Sequence, residues 1–256
     1  MKVSPVVKRK PVRQRLDLLL VERGLTDSQE KAAAMILAGE IAVDGVRAEK
    51  AGMPVASDIR IELASRKQKY VSRGGLKLEG ALEDFSIDPR NLVCLDIGSS
   101  HGGFTDCLLQ HGAGRVYVVD VNVAQIDWKL RQDPRVVRIK RNARELRTGD
   151  VPELVDLVTI DVSFISVRKV IAPAASLAKP GANFLILVKP QFELPRAEVG
   201  LGGVVKDKNL YDKAVSVVRK YAETVGLECL GVRPSRIAGA EGNQEYFLHA
   251  RKKSLE

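Results

Sequence analysis

The apolar positions of this 256-residue chain follow two patterns, one before and one after residue 65. Over 13–23 they recur at helical spacing, and Asp27, with Glu30 three residues later, predicts the capped start of a second helix that runs to Leu37. Short alternating runs separated by tight turns follow over 41–63 and predict small antiparallel strands. The first part of the chain is therefore predicted to be a small α+β domain.

From residue 91 onward, strongly hydrophobic runs alternate with helical stretches, as in a parallel sheet covered by helices on both faces. The predicted strands lie at 92–97, 115–121, 136–140, 154–161, 182–189, 228–232 and 245–250, and the predicted helices at 104–111, 124–131, 166–177 and 209–225. The last strand follows its predecessor without a helix between them, so we expect it to be antiparallel. The predicted fold class is α/β, a Rossmann-like seven-stranded sheet behind a small α+β domain.

Domain boundaries follow from the same patterns. They are a basic flexible arm at 1–12, the small domain at 13–64, a polar interdomain linker at 65–71 and the sheet domain at 72–256. With 45% hydrophobic and 29% charged residues the composition is that of a globular protein. Apolar runs are far shorter than the ~20 residues that span a bilayer, and the first residues lack an apolar leader, so we expect neither membrane insertion nor secretion.

The cysteines and the charge indicate the setting. Three cysteines, Cys94, Cys107 and Cys229, are widely spaced and form no C-x-x-C pair. We therefore expect neither disulfides nor a metal site, and we expect a cytoplasmic protein. The net charge is +9, and residues 1–72 hold fourteen Lys and Arg against nine Asp and Glu. This excess favours a polyanionic partner, contacted mainly through the N-terminal part of the chain.

The segment RLDLLLVERGL, followed by the segment KAAAMILAGEIAVDG, resembles the S4 RNA-binding domain. The resemblance implies that basic side chains of the second helix and the following turn meet RNA phosphates. The predicted RNA-binding residues are Arg13, Arg15, Lys31 and Arg47, together with Lys67, Lys69 and Arg73 around the linker. Two alternatives stay open: the charges merely solvate a small fold, or the module is a protein-protein adaptor.

A glycine-rich turn, LDIGSSHGGFTD at 95–106, joins the first strand of the predicted sheet to its helix. Glycines let the backbone approach a ligand at a helix N-terminus, where free N–H groups attract negative charge. The order D-x-G-x-x-x-G-G differs from the G-x-G-x-x-G of dinucleotide enzymes. Asp96, two residues before the first glycine, repels a pyrophosphate and suits the cationic methionine end of S-adenosylmethionine. That cofactor is therefore predicted.

Two residues beyond the turn are also placed for the cofactor. Asp120 ends the second strand, where a carboxylate can accept hydrogen bonds from both ribose hydroxyls, a device that NAD enzymes share. Asn142 either meets the adenine or starts a short helix at 143–147. The predicted cofactor-binding set is Asp96, Gly98, Ser99, Ser100, Gly102, Gly103, Phe104, Asp120, Val121, Asn142 and Asp161.

Asp161 and Lys189 end the fourth and fifth predicted strands, and such strand ends face the ligand crevice of an open α/β sheet. The strings SRGGLKL, DIGSSHGGFTD, DVSFIS, KPQFE and GGVVKD together resemble the TlyA-type family, often labelled haemolysin A, and more distantly the FtsJ-type RNA 2′-O-methyltransferases. The resemblance implies a class I methyltransferase domain and a catalytic tetrad at Lys77, Asp161, Lys189 and Glu245. His101 stands where a threonine or proline is more usual.

A ribose hydroxyl is a poor nucleophile because its pKa lies far above 7, so methyl transfer to it needs a positioned group. Lys189 is our candidate, either as the base or, if it stays charged, as the group that stabilises the developing alkoxide. D-V-S-F stands where amino methyltransferases carry N-P-P-Y, and carbon-5 methylation needs a nucleophilic cysteine, whereas the three cysteines here look buried. A hydroxyl acceptor is favoured.

We therefore expect an S-adenosylmethionine-dependent RNA 2′-O-methyltransferase that acts on ribosomal RNA. The sequence leaves the oligomeric state open, with a monomer favoured. A haemolysin, as the family label suggests, and a non-catalytic RNA-binding scaffold are the alternatives. Phe164, Phe192 and Tyr246 can stack on a flipped nucleotide, although single aromatic residues in such strands more often belong to the core.

Overall fold

The computed structural model describes residues 13–63, 69–205, 207–239 and 242–254. The chain divides into two compact units, Met1–Lys67 and Gln68–Glu256. The predicted arm at 1–12 and part of the predicted linker lie outside the described residues. Among the described residues, no helix is both long and apolar enough to cross a membrane.

The first unit is a small α+β domain. Its elements are β1 (Arg13–Arg15), α1 (Leu16–Glu22), α2 (Gln29–Ala38), β2 (Ile41–Val43), β3 (Val46–Arg47), β4 (Pro54–Ala56) and β5 (Ile61–Leu63). Strand β1 pairs antiparallel with β4, and β3, β2 and β5 form an antiparallel three-stranded sheet. The two helices bury Leu16, Leu20 and Ile36 against Ile41, each at most 1% exposed. The apolar periodicity therefore predicted this core correctly.

Two local predictions in this unit were wrong. Residues Arg13–Arg15 are a strand and not the first turn of a helix, because pairing with β4 satisfies their backbone groups. The N-cap of α2 is Ser28, whose hydroxyl accepts a hydrogen bond from the Lys31 amide at 3.2 Å. Asp27 instead forms an ion pair with the Lys31 ammonium group at 2.8 Å.

The second unit is built on a seven-stranded sheet. Its strands are β6 (Val93–Ile97), β7 (Arg115–Asp120), β8 (Val136–Lys140), β9 (Val155–Ile160), β10 (Ala178–Val188), β11 (Leu227–Pro234) and β12 (Tyr246–Lys252). Their order is β11-β12-β10-β9-β6-β7-β8, and β12 is antiparallel to both of its neighbours. The predicted sheet and its antiparallel last strand are confirmed.

Six α-helices accompany this sheet among the described residues: α3 (Arg73–Asp84), α4 (Gly103–Gln110), α5 (Trp128–Gln132), α6 (Arg168–Ser176), α7 (Pro190–Glu193) and α8 (Lys208–Thr224). The sequence analysis missed α3 because glycine lowers helix propensity and the segment contains three glycines. The helix predicted at 124–131 is shorter, since the chain first makes a 3₁₀ turn at Val123–Gln125.

The sheet carries a hydrophobic core on each face. Helices α3, α4 and α5 contribute Leu78, Leu108 and Leu130 to one core, and α6 and α8 contribute residues such as Ile171 and Val218 to the other. Adjacent strand residues alternate between these two cores, as strand geometry requires. A sheet covered on both faces leaves the carboxyl ends of its strands as the natural place for a site.

Candidate functional site

The carboxyl edge of the sheet brings together residues that are far apart in the chain. Asp161 follows β9, and its amide donates to the Ile97 carbonyl oxygen at 2.9 Å, beside the glycine-rich turn. Lys189 follows Val188, which pairs with Tyr246 of the antiparallel strand β12. Lys189 and Glu245 therefore leave two hydrogen-bonded strands at the same edge.

The four tetrad residues form two ion pairs. The Lys189 ammonium group lies 2.6 Å from a carboxylate oxygen of Asp161 and donates to the Ser163 hydroxyl at 2.7 Å. The Lys77 ammonium group donates to a carboxylate oxygen of Glu245 at 2.6 Å. Only 10% of the Lys189 side chain and 3% of the Glu245 side chain are exposed. Charges buried to this extent require such partners.

Helix α3 places Lys77 beside Glu245 because the helix packs against the segment between β11 and β12. From that segment, the Arg236 guanidinium donates to the Glu83 and Asp84 carboxylates at the end of α3, each at 2.5 Å. A Cβ atom added at Gly80 would lie 2.8 Å from Arg236 Cδ. The glycine that obscured this helix in the sequence is therefore needed for its close packing.

Asn243 fixes the segment that carries Glu245. Its side chain is fully buried, accepts a hydrogen bond from the Val205 amide at 2.9 Å and donates to the Gly203 carbonyl oxygen at 2.8 Å. Sequence reasoning missed Asn243, although Gly203 and Val205 lie in the GGVVKD string and Asn243 lies two residues before Glu245. The missing information was the pairing of two distant loops.

Glu193 fixes the segment that follows Asp161. Its carboxylate is buried and accepts hydrogen bonds from the Val167 amide at 2.7 Å and from the Ser166 hydroxyl at 2.6 Å. It thereby supplies, from another element, acceptors for donors at the start of α6. Glu193 ends the KPQFE string but was not among the predicted site residues.

The glycine-rich turn has a tight backbone. Gly98 and Gly102 have φ values of +82° and +94°, which favour glycine. An added Cβ atom at Gly98 would collide with the Asp161 carbonyl oxygen, and one at Gly102 would collide with the Leu130 side chain. We expected these glycines to make room for a ligand. The structure shows that the protein's own packing also requires them.

The turn offers groups that fit a cofactor. The Ser99 hydroxyl is buried and has no hydrogen-bond partner within the described part of the chain. The Asp120 carboxylate accepts hydrogen bonds from the Ser100 and Asn122 amides, at 3.0 and 2.9 Å, and keeps further lone pairs. Val121 beside it is 64% exposed. A ribose and an apolar ring match this combination of a half-buried carboxylate and an exposed aliphatic side chain.

Three predicted cofactor contacts have other neighbours. Asp96 is fully buried behind the turn, where its carboxylate oxygens accept hydrogen bonds from Thr105 at 2.6 Å and Thr159 at 3.0 Å. Burial raises the pKa of Asp96 to about 6, against the lowering effect of those two hydrogen bonds. The Asp96 side chain therefore supports the turn from behind and is not exposed for the predicted direct contact with the cofactor.

The side chains of Phe104 and Asn142 also have contacts within the protein in place of the predicted contacts with the cofactor. The Phe104 side chain is 3% exposed and packs against Phe247, with ring centroids 6.1 Å apart, so only its backbone remains for a ligand. The Asn142 side chain accepts a hydrogen bond from the Arg144 amide at 3.2 Å and caps the short 3₁₀ helix Ala143–Glu145. The structural alternative for Asn142 is thus realised.

Most of the predicted RNA-binding cations that can be examined already have an acidic partner. Ion pairs join Arg15 to Asp17, Lys31 to Asp27, and Lys69 to Glu79. The two others whose side chains are described, Arg13 and Arg73, are exposed. The side chain of Arg47 and the whole of Lys67 lie outside the described residues.

The aromatic residue Phe164 lies at the surface, whereas two of the three cysteines are buried. Phe164 is 87% exposed with a φ of +67°, and its ring lies 5.6 Å from that of Phe192, so assigning Phe164 to the core was wrong. Cys94 and Cys107 are buried, and burial raises the pKa of the Cys107 thiol to about 12. The pKa of the half-buried Cys229 is also raised by burial. None of the three is a ready nucleophile.

Comparison with known proteins identifies the family. Residues 70–252 match the family model described as FtsJ-like methyltransferase, and residues 14–58 match the S4 domain. The chain is 43% identical over 241 residues to the 16S/23S rRNA (cytidine-2′-O)-methyltransferase TlyA of Mycobacterium tuberculosis, covering 93% of this chain and 90% of that protein. It is 41% identical over 238 residues to Hemolysin A of Brachyspira hyodysenteriae, covering 92% and 98%.

Solved structures agree with the fold. A candidate hemolysin from Streptococcus thermophilus, 37% identical, superposes with a TM-score of 0.75 over 96% of this chain and 90% of that chain. The N-methyltransferase NodS from Bradyrhizobium japonicum, solved with S-adenosyl-L-homocysteine, has a TM-score of 0.51 at 16% identity, covering 70% and 87%, and shows the fold alone. The chain therefore belongs to the FtsJ-like methyltransferase family and carries an S4 domain in front of its methyltransferase domain.

Proposed function

We propose that this protein transfers a methyl group from S-adenosylmethionine to a ribose 2′-hydroxyl of ribosomal RNA. The observation that carries the proposal is the pair of buried Lys–carboxylate contacts at the carboxyl edge of the sheet, beside the glycine-rich turn. S-adenosylmethionine, when bound, supplies an electrophilic methyl group. The chain must then position a hydroxyl oxygen and manage its proton.

Lys189 is the residue we assign to the hydroxyl. A lysine ammonium group has three N–H donors; the Ser163 hydroxyl accepts one of them, and Asp161 is an ion-pair partner whose nearby oxygen accepts no hydrogen bond within the described residues. The remaining donors face a substrate oxygen and stabilise the negative charge that develops on it, while the proton of the hydroxyl passes to water. Asp161 and Ser163 hold the ammonium group in place, and the neighbouring pair of Lys77 and Glu245 adds a second balanced charge pair.

Phe164 offers a surface for the base of the target nucleotide. It lies one residue from Ser163, and 87% of it is exposed while its ring leans on Phe192. Aromatic rings of this kind stack on unpaired bases in RNA-binding proteins. A base held there keeps its ribose close to Lys189.

Ribosomal RNA is the substrate class we infer from the relatives. The Mycobacterium tuberculosis protein is named for methylation of 16S and 23S rRNA at the cytidine 2′-oxygen, and the S4 domain supplies an RNA-binding module. A ribosomal substrate also assigns this protein to the cytoplasm.

The role of Lys189 is tested by methyl transfer from labelled S-adenosylmethionine to ribosomal subunits that lack their native methylation. Lys189→Ala is expected to lower kcat by at least about 100-fold, since a positioned proton-transfer or charge-stabilising group contributes that much. Calorimetry is expected to show unchanged cofactor binding.

The control is Lys179→Ala, which removes a lysine from the other end of the same strand, where it is paired with Asp156 at 2.7 Å. We expect Lys179→Ala to keep the wild-type rate within about twofold. Equal rates for wild type and Lys189→Ala would show that the tetrad does not carry the reaction.

Membrane lysis is the second candidate, because one relative is named Hemolysin A. Leakage of a dye from lipid vesicles tests it directly. Leakage at nanomolar protein, together with no methyl transfer, would replace the proposal.

A further inference from the structure

A strong concentration of positive charge lies in the methyltransferase domain, in addition to the one at the N-terminus. Residues 128–147 hold eight Lys and Arg against two Asp and Glu, and residues 1–16 hold six against none. This segment forms α5, the strand β8 and the 3₁₀ turn after it. Counting charge over long stretches of sequence hid this cluster.

Several of these cations share one surface. Strand β8 is an edge of the sheet and pairs only with β7. Val136 packs into the core with Leu130 of α5, so Arg138 and Lys140, two and four residues further along the strand, lie on the face that α5 covers. Both side chains are exposed, as is Arg131 at the end of α5.

These cations differ from Arg15 and Lys31 of the S4 domain in lacking acidic partners in the part of the chain that the structure describes. Within the described residues, no carboxylate lies within ion-pair distance of Arg131, Arg138 or Lys140. Arg15 and Lys31, in contrast, are each neutralised by an aspartate. Unpaired surface cations are the ones whose charge attracts an external anion.

An exposed aromatic residue lies next to these cations. Trp128 begins α5 and is 61% exposed. It is the only tryptophan of the chain. A large aromatic ring among unpaired cations fits a polyanion that also carries bases, because it can stack on an unpaired base while the cations bind phosphates.

The surface is coupled to the cofactor turn through α5. The Asp127 amide donates to the His101 carbonyl oxygen at 3.1 Å, and the Leu130 side chain fills the space left by Gly102. Lys140 ends β8 at the same edge of the sheet as the tetrad. RNA held on this surface is therefore held beside the methyl donor's turn.

We infer that Trp128, Arg131, Arg138 and Lys140, here called the α5–β8 surface, bind the substrate RNA, the three cations at its phosphates and Trp128 on an unpaired base. The inference rests on the proposed function for the identity of that RNA. The competing explanation is that charges on an edge strand only prevent sheets from pairing edge to edge.

The test uses the full chain and unmodified transcripts of 16S and 23S rRNA, with binding measured between 0.05 and 0.3 M salt, concentrations chosen as about the range where phosphate contacts dominate. Each lost phosphate contact lowers the slope of log K against log salt by about 0.7 to 0.9. The variant with Arg131→Gln, Arg138→Gln and Lys140→Gln is expected to lower the slope by about 2 and to weaken binding about tenfold or more.

A matched variant removes three positive charges from the region around the opposite edge of the sheet, where β11 lies next to β12. Lys220, Arg233 and Arg251 are exposed on α8, β11 and β12, and their replacement by Gln is expected to leave the slope at its wild-type value. Equal slope changes in both variants would show that only the net charge of the protein affects RNA binding, and would overturn the inference. An unchanged slope with new self-association of the α5–β8 variant would establish edge protection instead.

The single tryptophan gives an independent readout. RNA is expected to quench Trp128 fluorescence and to shield it from acrylamide in the wild-type protein. Unaltered fluorescence at saturating RNA would also contradict the inference. Both readouts are independent of methyl transfer, so they can be interpreted even if the proposed function fails. Intact methylation together with an unchanged salt slope in the α5–β8 variant would refute RNA binding by this surface and leave the proposed function standing.

Discussion

Asp96 shows how a single buried carboxylate supports the site from behind. It is fully buried, and the hydroxyls of Thr105 and Thr159 occupy its two oxygens. Thr105 lies in α4 and Thr159 in β9, so this carboxylate ties the first helix after the glycine-rich turn to the strand that leads to Asp161. Its position explains the acid before the first glycine without a direct ligand contact.

The raised pKa of Asp96 predicts a pH dependence of stability. Because burial raises this pKa to about 6 from its ordinary value of 3.8, the folded state holds the proton more tightly than the unfolded state between these values. The contribution of Asp96 to the free energy of unfolding is therefore greatest below pH ~4 and falls as the pH rises through about 6. Asp96→Asn removes this dependence.

Denaturant unfolding at pH 4.5 and pH 7.5 measures it. The stability of wild type relative to Asp96→Asn is expected to be greater at pH 4.5, by an amount on the order of 2 kcal/mol. Asp156 is the control: burial raises its pKa, but the Lys179 ammonium group and the Val93 amide lower it more. For Asp156→Asn the relative stability of wild type is therefore expected to be nearly the same at pH 4.5 and pH 7.5 and to fall only below pH ~4, because Asp156 is ionised in the folded and the unfolded state above that pH. An equal pH effect on both variants between pH 4.5 and pH 7.5 would show that the effect does not come from Asp96.

At the scale of elements, α3 shows how packing overrides propensity. Its first turn contains Gly74 and Gly75, and its middle contains Gly80. Tyr70, which is 2% exposed, occupies the space over Gly75. Residues 69–71 were predicted as linker, yet Tyr70 belongs to a core of the second unit. The glycines therefore lower the helix propensity of α3 but let Tyr70 and Arg236 pack closely against it.

Gly75→Ala is expected to destabilise the protein by about 2 kcal/mol or more, because the added methyl group collides with the buried Tyr70 ring. Alanine would otherwise favour a helix by about 1 kcal/mol. Thermal or denaturant unfolding measures the difference.

Gly74→Ala is the matched control in the same helical turn. A Cβ atom there would meet its nearest neighbour, Phe104, at 3.4 Å, an ordinary contact. We expect Gly74→Ala to leave stability unchanged or to raise it slightly. Two variants of equal stability would show that Tyr70 does not constrain α3.

The elements that sequence predicted best are those whose pattern is local. Strand β8 has the predicted bounds, and the glycine-rich turn begins α4 as expected. Periodicity and turn residues act over a few positions, so they can be read directly. The α2 cap was missed because Asp27 and Ser28 are both suitable cap residues, and only the backbone geometry selects Ser28.

At the scale of the whole molecule, the site depends on contacts that no local pattern contains. Lys77 and Glu245 are 168 positions apart and meet through α3 and the segment before β12. Chain order predicted Asp161 and Lys189 at the sheet edge, but Lys77 and Glu245 entered only through family resemblance. Glu193 and Asn243 were missed because their roles arise from loops that meet only in the fold.

The charge distribution is also a property of the folded molecule. Sequence counts directed attention to the N-terminal domain, where Arg15 and Lys31 prove to be paired with carboxylates. The structure instead reveals unpaired cations on the α5–β8 surface. Net charge alone does not distinguish a cation that has an acidic partner from one that is available to RNA.

Methyl transfer to a ribose 2′-oxygen is tested most directly by the identity of the methylated nucleoside. Ribosomal subunits lacking native methylation are incubated with the protein and S-adenosylmethionine, digested to nucleosides and analysed by mass spectrometry. We expect a methyl group on the ribose fragment of one nucleoside type, absent with Lys189→Ala and present with Lys179→Ala. A methyl group on a base, or a ribose methyl group that persists in Lys189→Ala, would contradict this expectation.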